Sequence, residues 1–170
     1  EARSLFRAWQ RGIPCPVPLL VVPECGLLVM SCIQDAVTVK HQLFEKDCRD
    51  NLVTLISDQM AEITAALHLS DMVHGDLTTS NFLYQPASKK VFIVDFGLAM
   101  GTQQVEDKAV DVYVLERSIR ATHSGEHPDL FPRLYAKYID VMSLKNPQMA
   151  SAIERRFEQV RARGRKREMS

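Results

Sequence analysis

Two short stretches hold the residues best suited to chemistry. The first reads His74-Gly75-Asp76-Leu77-Thr78-Thr79-Ser80-Asn81, and fourteen residues past Asn81, at the end of an apolar run, comes Asp95-Phe96-Gly97. An Asp at a strand end and an Asn on a neighbouring loop can face one divalent cation. Mg²⁺ keeps several waters and takes only one or two protein oxygens besides phosphates, so a donor set this sparse suits it. Phosphoryl transfer asks the protein for little covalent help; it needs such a cation and an acceptor held in line with the γ-phosphate. Any one of these carboxylates alone reads as a helix cap or a loop hydrogen bond. Five residues in this order and at this spacing point to phosphoryl transfer.

The elements that must position them follow from periodicity. Ala2–Gln10 carries Leu5, Phe6 and Trp9 at helical spacing, with Gly12 where a helix would stop, so a short helix ends near Arg11. Pro14, Pro16, Pro18 and Pro23 then punctuate two β-type runs, Leu19–Val22 and Leu27–Ser31, with Glu24-Cys25-Gly26 as the turn of a hairpin. Beyond Asp35 the pattern is mainly helical. Ile56, Met60, Ile63 and Leu67 form one stripe on a helix from about Asn51 to Leu69; Leu130, Leu134, Tyr138 and Met142 form a second, and Met149, Ile153 and Phe157 a third. The brief β runs Phe82–Tyr84 and Val91–Val94 flank the turn-prone Pro86–Lys89. The expectation is an α+β fold in one compact unit, a strand pair set into a helical body.

Composition narrows the class. The 170 residues carry 21 Lys+Arg against 21 Asp+Glu and are 46% hydrophobic, which excludes collagen, disorder and a disulfide scaffold. The apolar runs Ile13–Pro23 and Cys25–Ile33 fall short of the ~20 residues that cross a bilayer, so no membrane span is expected. The opening residue is Glu1 rather than Met, from which a preceding piece is expected. Cys15, Cys25, Cys32 and Cys48 show no C-x-x-C pair and read as reduced thiols, which implies a cytoplasmic or nuclear compartment. Neutrality overall hides an asymmetry: from Glu154 to Ser170 there are seven basic residues against three acidic ones.

The two stretches resemble the protein-kinase catalytic loop H-R-D-x-x-x-x-N followed by D-F-G, spacing included. The resemblance implies a protein-kinase-like fold, ATP as substrate and Mg²⁺ as cofactor. Asp76 would orient the attacking hydroxyl or water or accept its proton, Asn81 and Asp95 would hold Mg²⁺, His74 would pack beneath the loop, and Phe96, followed by Gly97, would fill the spine between lobes. Met30 would be the gatekeeper, a role compatible with plain core packing, and Ser31-Cys32-Ile33 the hinge that meets adenine. Glu1 would either pair with a small-lobe Lys or stand as a surface carboxylate. Departures are equally specific: Gly75 replaces the Arg that grips an activation-loop phosphate, only nine residues separate Gly97 from Asp107, and no Ala-Pro-Glu, glycine-rich loop or Val-Ala-Ile-Lys strand occurs. The small lobe is therefore truncated: 1–31 is its remnant, 32–153 the mainly helical large lobe, and 154–170 the end of the last helix with a basic tail.

Two kinase-like families write H-G-D. Small-molecule phosphotransferases of the aminoglycoside and choline type do, but their metal motif runs Ile-Asp-Trp/Phe-Glu. The chain is more similar to the PRPK family, the atypical kinase/ATPase subunits of the KEOPS (EKC) complex, which makes threonylcarbamoyl-adenosine in tRNA. The segments carrying this are Glu1–Leu5 with Gly12-Ile13-Pro14, His74–Asn81, Asp95–Leu98, Glu106–Arg117 and Val160–Arg167. The resemblance implies an ATPase with weak Ser/Thr kinase activity that supports the tRNA threonylcarbamoyl-transferase subunit and contacts other KEOPS subunits. Asp111 would be the buried Asp that hydrogen-bonds the His74 loop; otherwise it is an exposed helix acid. Arg161, Arg163, Arg165, Lys166 and Arg167, with Gly164 relaxing the helix, would form an extended strip reaching partner and tRNA, against the plainer readings of a solvated charge run or a nuclear-import signal. A catalytically impaired adaptor presenting this tail is the rival expectation.

Overall fold

The computed structural model describes residues 1–45 and 48–168, with side chains through Gly164. The chain is α+β, as expected. α1 (Ala2–Gln10) leads to a hairpin, β1 (Pro18–Val22) and β2 (Leu27–Met30), joined by a 3₁₀ turn at Pro23–Cys25. Then come β3 (Val37–Thr38), α2 (Val39–Phe44), α3 (Asp50–Leu69), β4 (Met72–Val73), β5 (Phe82–Gln85), β6 (Lys90–Ile93), β7 (Met100–Gly101), α4 (Val105–His123), α5 (Leu130–Lys145) and α6 (Pro147–Glu168).

α1 ends where glycine permits. Gly12 sits at φ +73°, its N–H reaches Trp9 O (2.9 Å), and Ile13 N–H reaches Ala8 O (3.1 Å). This double closure needs a left-handed residue just past the helix, which glycine adopts without steric penalty. Leu5 and Ala8 turn inward, while Phe6 and Trp9 stay exposed.

The helical body is built on the expected stripes. Ile56, Met60 and Leu67 of α3 are buried and α3 packs on α5, whose Leu134, Tyr138 and Met142 are likewise buried. α4 packs on α6 through an interior holding Val112, Leu115, Ile153 and Phe157. Each aliphatic side chain so buried contributes about 2 kcal/mol. β3, β5 and β6 form one antiparallel sheet in the order β3-β5-β6, with Phe82 opposite Ile93 and Gln85 opposite Lys90. β4 pairs with β7.

Two expectations need correction. Gly164 does not relax the last helix: α6 runs through it to Glu168, and a Cβ there would lie 1.8 Å from the Tyr113 hydroxyl. Glycine provides a notch in α6 for Tyr113 of α4. Nor do Arg161 and Arg163 extend outward as a strip. Arg161 lies 2.8 Å from the buried Glu116 carboxylate and 3.4 Å from Glu158, and Arg163 pairs with Glu106, which Arg156 also meets at 3.0 Å. Acidic groups on α4 attract these guanidinium groups back onto the body. The side chains of Arg165, Lys166 and Arg167 lie outside the described residues.

Candidate active site

β5 and β6 bring the two chemical stretches together. Their register carries one step past the strands: Val94 N–H donates to Asn81 O (2.9 Å), placing Asn81 beside the residue that precedes Asp95. The His74 imidazole closes the same gap, its Nε2 lying 3.0 Å from Val94 O. Because a carbonyl only accepts, Nε2 carries the proton. His74 is fully buried with its ring 5.4 Å from that of Phe96, itself 1% exposed, so both pack beneath the loop.

Asn81 is oriented by its own loop. Its Nδ2 donates to Asp76 O and to Asp76 Oδ2, both at 2.9 Å. With the amide nitrogen turned inward onto Asp76, the carboxamide oxygen is the atom left to meet a cation. Asp95 stands at φ +63° with its side chain exposed, and its Oδ1 accepts from Gly97 N–H (3.2 Å), leaving Oδ2 for a ligand. The donor atoms on offer are hard oxygens, the kind Mg²⁺ prefers. Among the described residues no three His, Cys, Asp or Glu side chains are grouped to hold a metal. A cation here would rest on one carboxylate, one carboxamide and the phosphates of its substrate.

Asp111 braces the loop from beneath and is not an exposed helix acid. It is 2% exposed; Oδ2 accepts from His74 N–H and Oδ1 from Gly75 N–H, each at 2.8 Å. Oδ2 also lies 3.2 Å from His68 Nε2, and His68 Nδ1 lies 2.7 Å from the Tyr138 hydroxyl. A carboxylate can only accept, so His68 Nε2 is the donor, and Nδ1 accepts from the Tyr138 O–H. One polar chain thus runs from α5 through α3 to α4 and the loop, with every donor matched. Burial, together with the neighbouring Tyr135 and the Asp111 charge, raises the Tyr138 phenol well above its ordinary value, so it stays protonated as a donor. His68 and Tyr138 escaped the sequence reading because both fall in stripes that look merely apolar.

Gly75 has a structural cause as well. It sits at φ +81°, and a Cβ would lie 2.6 Å from Leu98 O and 3.0 Å from Leu98 Cβ. The loop presses so closely on the segment after Gly97 that no side chain fits where many kinases carry Arg. α1 is tied to the same segment by Ser4 Oγ, which donates to Ala99 O (3.0 Å), and to the end of α3 by Arg7 Nη2, which donates to Ser70 O (2.7 Å).

The remaining expected residues lie at the edges. Glu1 is the exposed N-cap of α1 and its side chain makes no capping bond. Met30, 37% exposed, ends β2. Ser31 N–H donates to Val17 O (2.9 Å) while Ser31 Oγ accepts from Val17 N–H (2.8 Å), so its amide is already engaged; Cys32 is exposed and Ile33 half-buried.

Residues 1–123 match the family model for the RIO domain. The chain is 34% identical to the mouse EKC/KEOPS complex subunit Tp53rkb, covering 99% of this chain and 69% of that one. It is 36% identical to an EKC/KEOPS complex subunit of Schizosaccharomyces pombe, with the same two shares, and 44% identical to the EKC/KEOPS complex subunit BUD32 of Yarrowia lipolytica, covering 99% and 73%. Among solved structures, WaaP in complex with acyl carrier protein superposes with a TM-score of 0.63 at 13% identity, over 92% of this chain and 73% of that one, a likeness of fold. The chain belongs to the RIO-domain family, whose fold is protein-kinase-like, and groups there with the EKC/KEOPS subunits.

Proposed function

We propose that this RIO-domain chain is an ATP-hydrolysing, atypical Ser/Thr kinase subunit that supports threonylcarbamoyl-adenosine formation in tRNA within a KEOPS assembly. The observation that supports this is the hydrogen bond from Val94 N–H to Asn81 O, which brings the backbone just before Asp95 beside Asn81, whose side chain in turn holds Asp76. In this reading Asn81 and Asp95 hold Mg²⁺, which when bound supplies charge stabilisation to the transferring phosphoryl group. Asp76, its Oδ2 held by the Asn81 amide, orients the attacking water or hydroxyl. Asp111 fixes the loop through two backbone amides, so the donors need not reorganise as charge develops. Adenine would meet the backbone at Cys32 and Ile33, since the Ser31 amide is engaged.

Relatives named as EKC/KEOPS subunits support the reading that its partners are other KEOPS subunits, the threonylcarbamoyl-transferase subunit among them, and that it works in the cytoplasm or nucleus. The test is ATP turnover of the natural full-length protein with its partner subunits. Asp95→Ala should lower turnover by ~10² or more; an unchanged rate would favour the adaptor reading instead. The basic tail is assigned to tRNA or partner contact through its last turn. Replacing Arg165, Lys166 and Arg167 with Ala should flatten the dependence of tRNA affinity on log salt. A slope that does not move removes the tail from the interface.

A further inference from the structure

Thr79 lies between Asp76 and Asn81 on the loop yet faces away from it, 1% exposed. Its carbonyl accepts from Lys40 N–H in the first turn of α2 (2.9 Å), and its hydroxyl lies 3.0 Å from His123 Nε2 at the end of α4. His123 is fully buried, its ring 5.0 Å from that of Phe44 on α2. A second histidine, His127 on the connection after α4, donates from Nε2 to Leu43 O of α2 at 2.9 Å. α2 and the end of α4 therefore clasp one loop residue by its carbonyl and its hydroxyl.

His123 Nδ1 is buried without a partner, so the ring's one hydrogen bond is the one between Nε2 and Thr79 Oγ1. The ring stays neutral: desolvation depresses its pKa first, to about 4, helped by His127 and Lys40 and opposed by Glu126.

We propose that His123 is a positioning residue for the phosphoryl-transfer reaction, acting through Thr79 to fix the turn that sets Asp76 against Asn81. The turn is short: Asn81 N–H donates to Thr78 O (3.0 Å) and the Asn81 side chain returns to Asp76. Anchoring Thr79 at carbonyl and hydroxyl removes the freedom by which this turn could widen, and sub-ångström drift at a reacting centre is enough to lower a rate sharply. The inference rests on the function proposed above, but the ordering of the turn can be read without it.

The test uses the full-length protein with its partner subunits, Mg·ATP as substrate, and each variant assayed well below its own melting temperature. His123→Leu and Thr79→Val should each lower kcat by ~10-fold with KM for ATP little changed, and the double variant should be no worse than either single one. His123→Gln, whose amide N–H can reach the Nε2 position, and Thr79→Ser should keep most of the rate. Amide exchange across residues 77–81 is followed in parallel and should quicken at least ~10-fold in Thr79→Val. Should His123→Leu fail to fold, the Thr79 pair decides alone. Unchanged exchange in Thr79→Val, or losses that multiply in the double variant, would overturn the proposal. Asp95→Ala serves as the control: if it retains full turnover, the phosphoryl-transfer reading falls, while the exchange measurement still decides whether His123 orders the loop.

Discussion

At the scale of single residues, the site depends most on a group that need never touch substrate. Asp111 presents three acceptor contacts to two backbone amides and one imidazole, all buried. Asp111→Leu would strand those donors, and each buried donor left unmatched costs about 1–3 kcal/mol. We expect a loss of roughly 3 kcal/mol or more in urea unfolding, with turnover falling further than stability alone accounts for. A loss below ~1 kcal/mol would show that water replaces the carboxylate. Asp76, Asn81 and Asp95 were legible as candidates in the sequence because spacing carries them: they need only a loop and a strand end. Asp111 was visible through family likeness alone. His68, Tyr138 and His123 were not visible, since a buried polar residue inside an apolar stripe has a partner only when distant elements meet.

The same limit operates at the scale of elements. α3, α5 and α6 announce themselves by four-and-three steps of apolar residues; α3 starts one residue before the expected Asn51 and ends at the expected Leu69, and α1 ends at Gln10, next to the expected Arg11. α2 has six residues and β3 two; neither is long enough to show a period, and both exist because β3 pairs with Tyr84 and Leu83 of β5. The short pair β4–β7 bridges Met72 to Gly101 and has no local signature. Packing between elements also enlists charge. Lys108 on α4 is fully buried, with Nζ 3.0 Å from Asp71 Oδ1 on the turn after α3 and 3.5 Å from Met149 Sδ on α6. The hydrogen bond from Lys108 holds the Asp71 carboxyl below its ordinary value of 3.8, helped by the Lys108 charge, Gln103 and Arg7 against a smaller effect of burial. A depressed carboxyl contributes stability that is present above the unfolded value and lost as pH falls through the folded one. Asp71→Asn, which keeps the left-handed backbone at φ +53°, should therefore lower the urea midpoint at pH 7, and the gap from wild type should close below about pH 4. A gap that persists undiminished at pH 2 would mean that the charge pair contributes nothing. Lys108→Met, by contrast, removes a buried cation along with its desolvation cost and should be nearly neutral.

Over the whole molecule the two ends differ in character. The helical body is closed, with Arg156, Arg161 and Arg163 of α6 drawn onto Glu106 and Glu116 of α4. The α1 and hairpin end is open: Phe6, Trp9, Leu19, Leu20, Val21 and Leu27 are all more than 40% exposed, and a shallow apolar hollow lies between α1 and β1, lined by Phe6, Leu19 and Val21 among others. The groups that brace the His74–Asn81 loop, Asp111, His68 and His123, belong to the closed body. Nucleotide affinity is a separate matter. In protein kinases a glycine-rich loop and a lysine clamp the phosphates, and these 170 residues contain neither. On the function proposed above, what is left for Mg·ATP is one oxygen each of Asn81 and Asp95 and a proposed hinge whose Ser31 amide is engaged. The 170-residue chain should accordingly bind Mg·ATP with a Kd of ~1 mM or weaker. At 1 mM ligand that stabilises by at most RT ln 2, about 0.4 kcal/mol, or a rise in Tm of roughly 1–2 °C for a chain of this length. A rise of ~5 °C or more would imply a Kd near or below ~0.1 mM. Phosphate binding would then have to be supplied by residues within this chain, with those flanking Asp95 the first to replace.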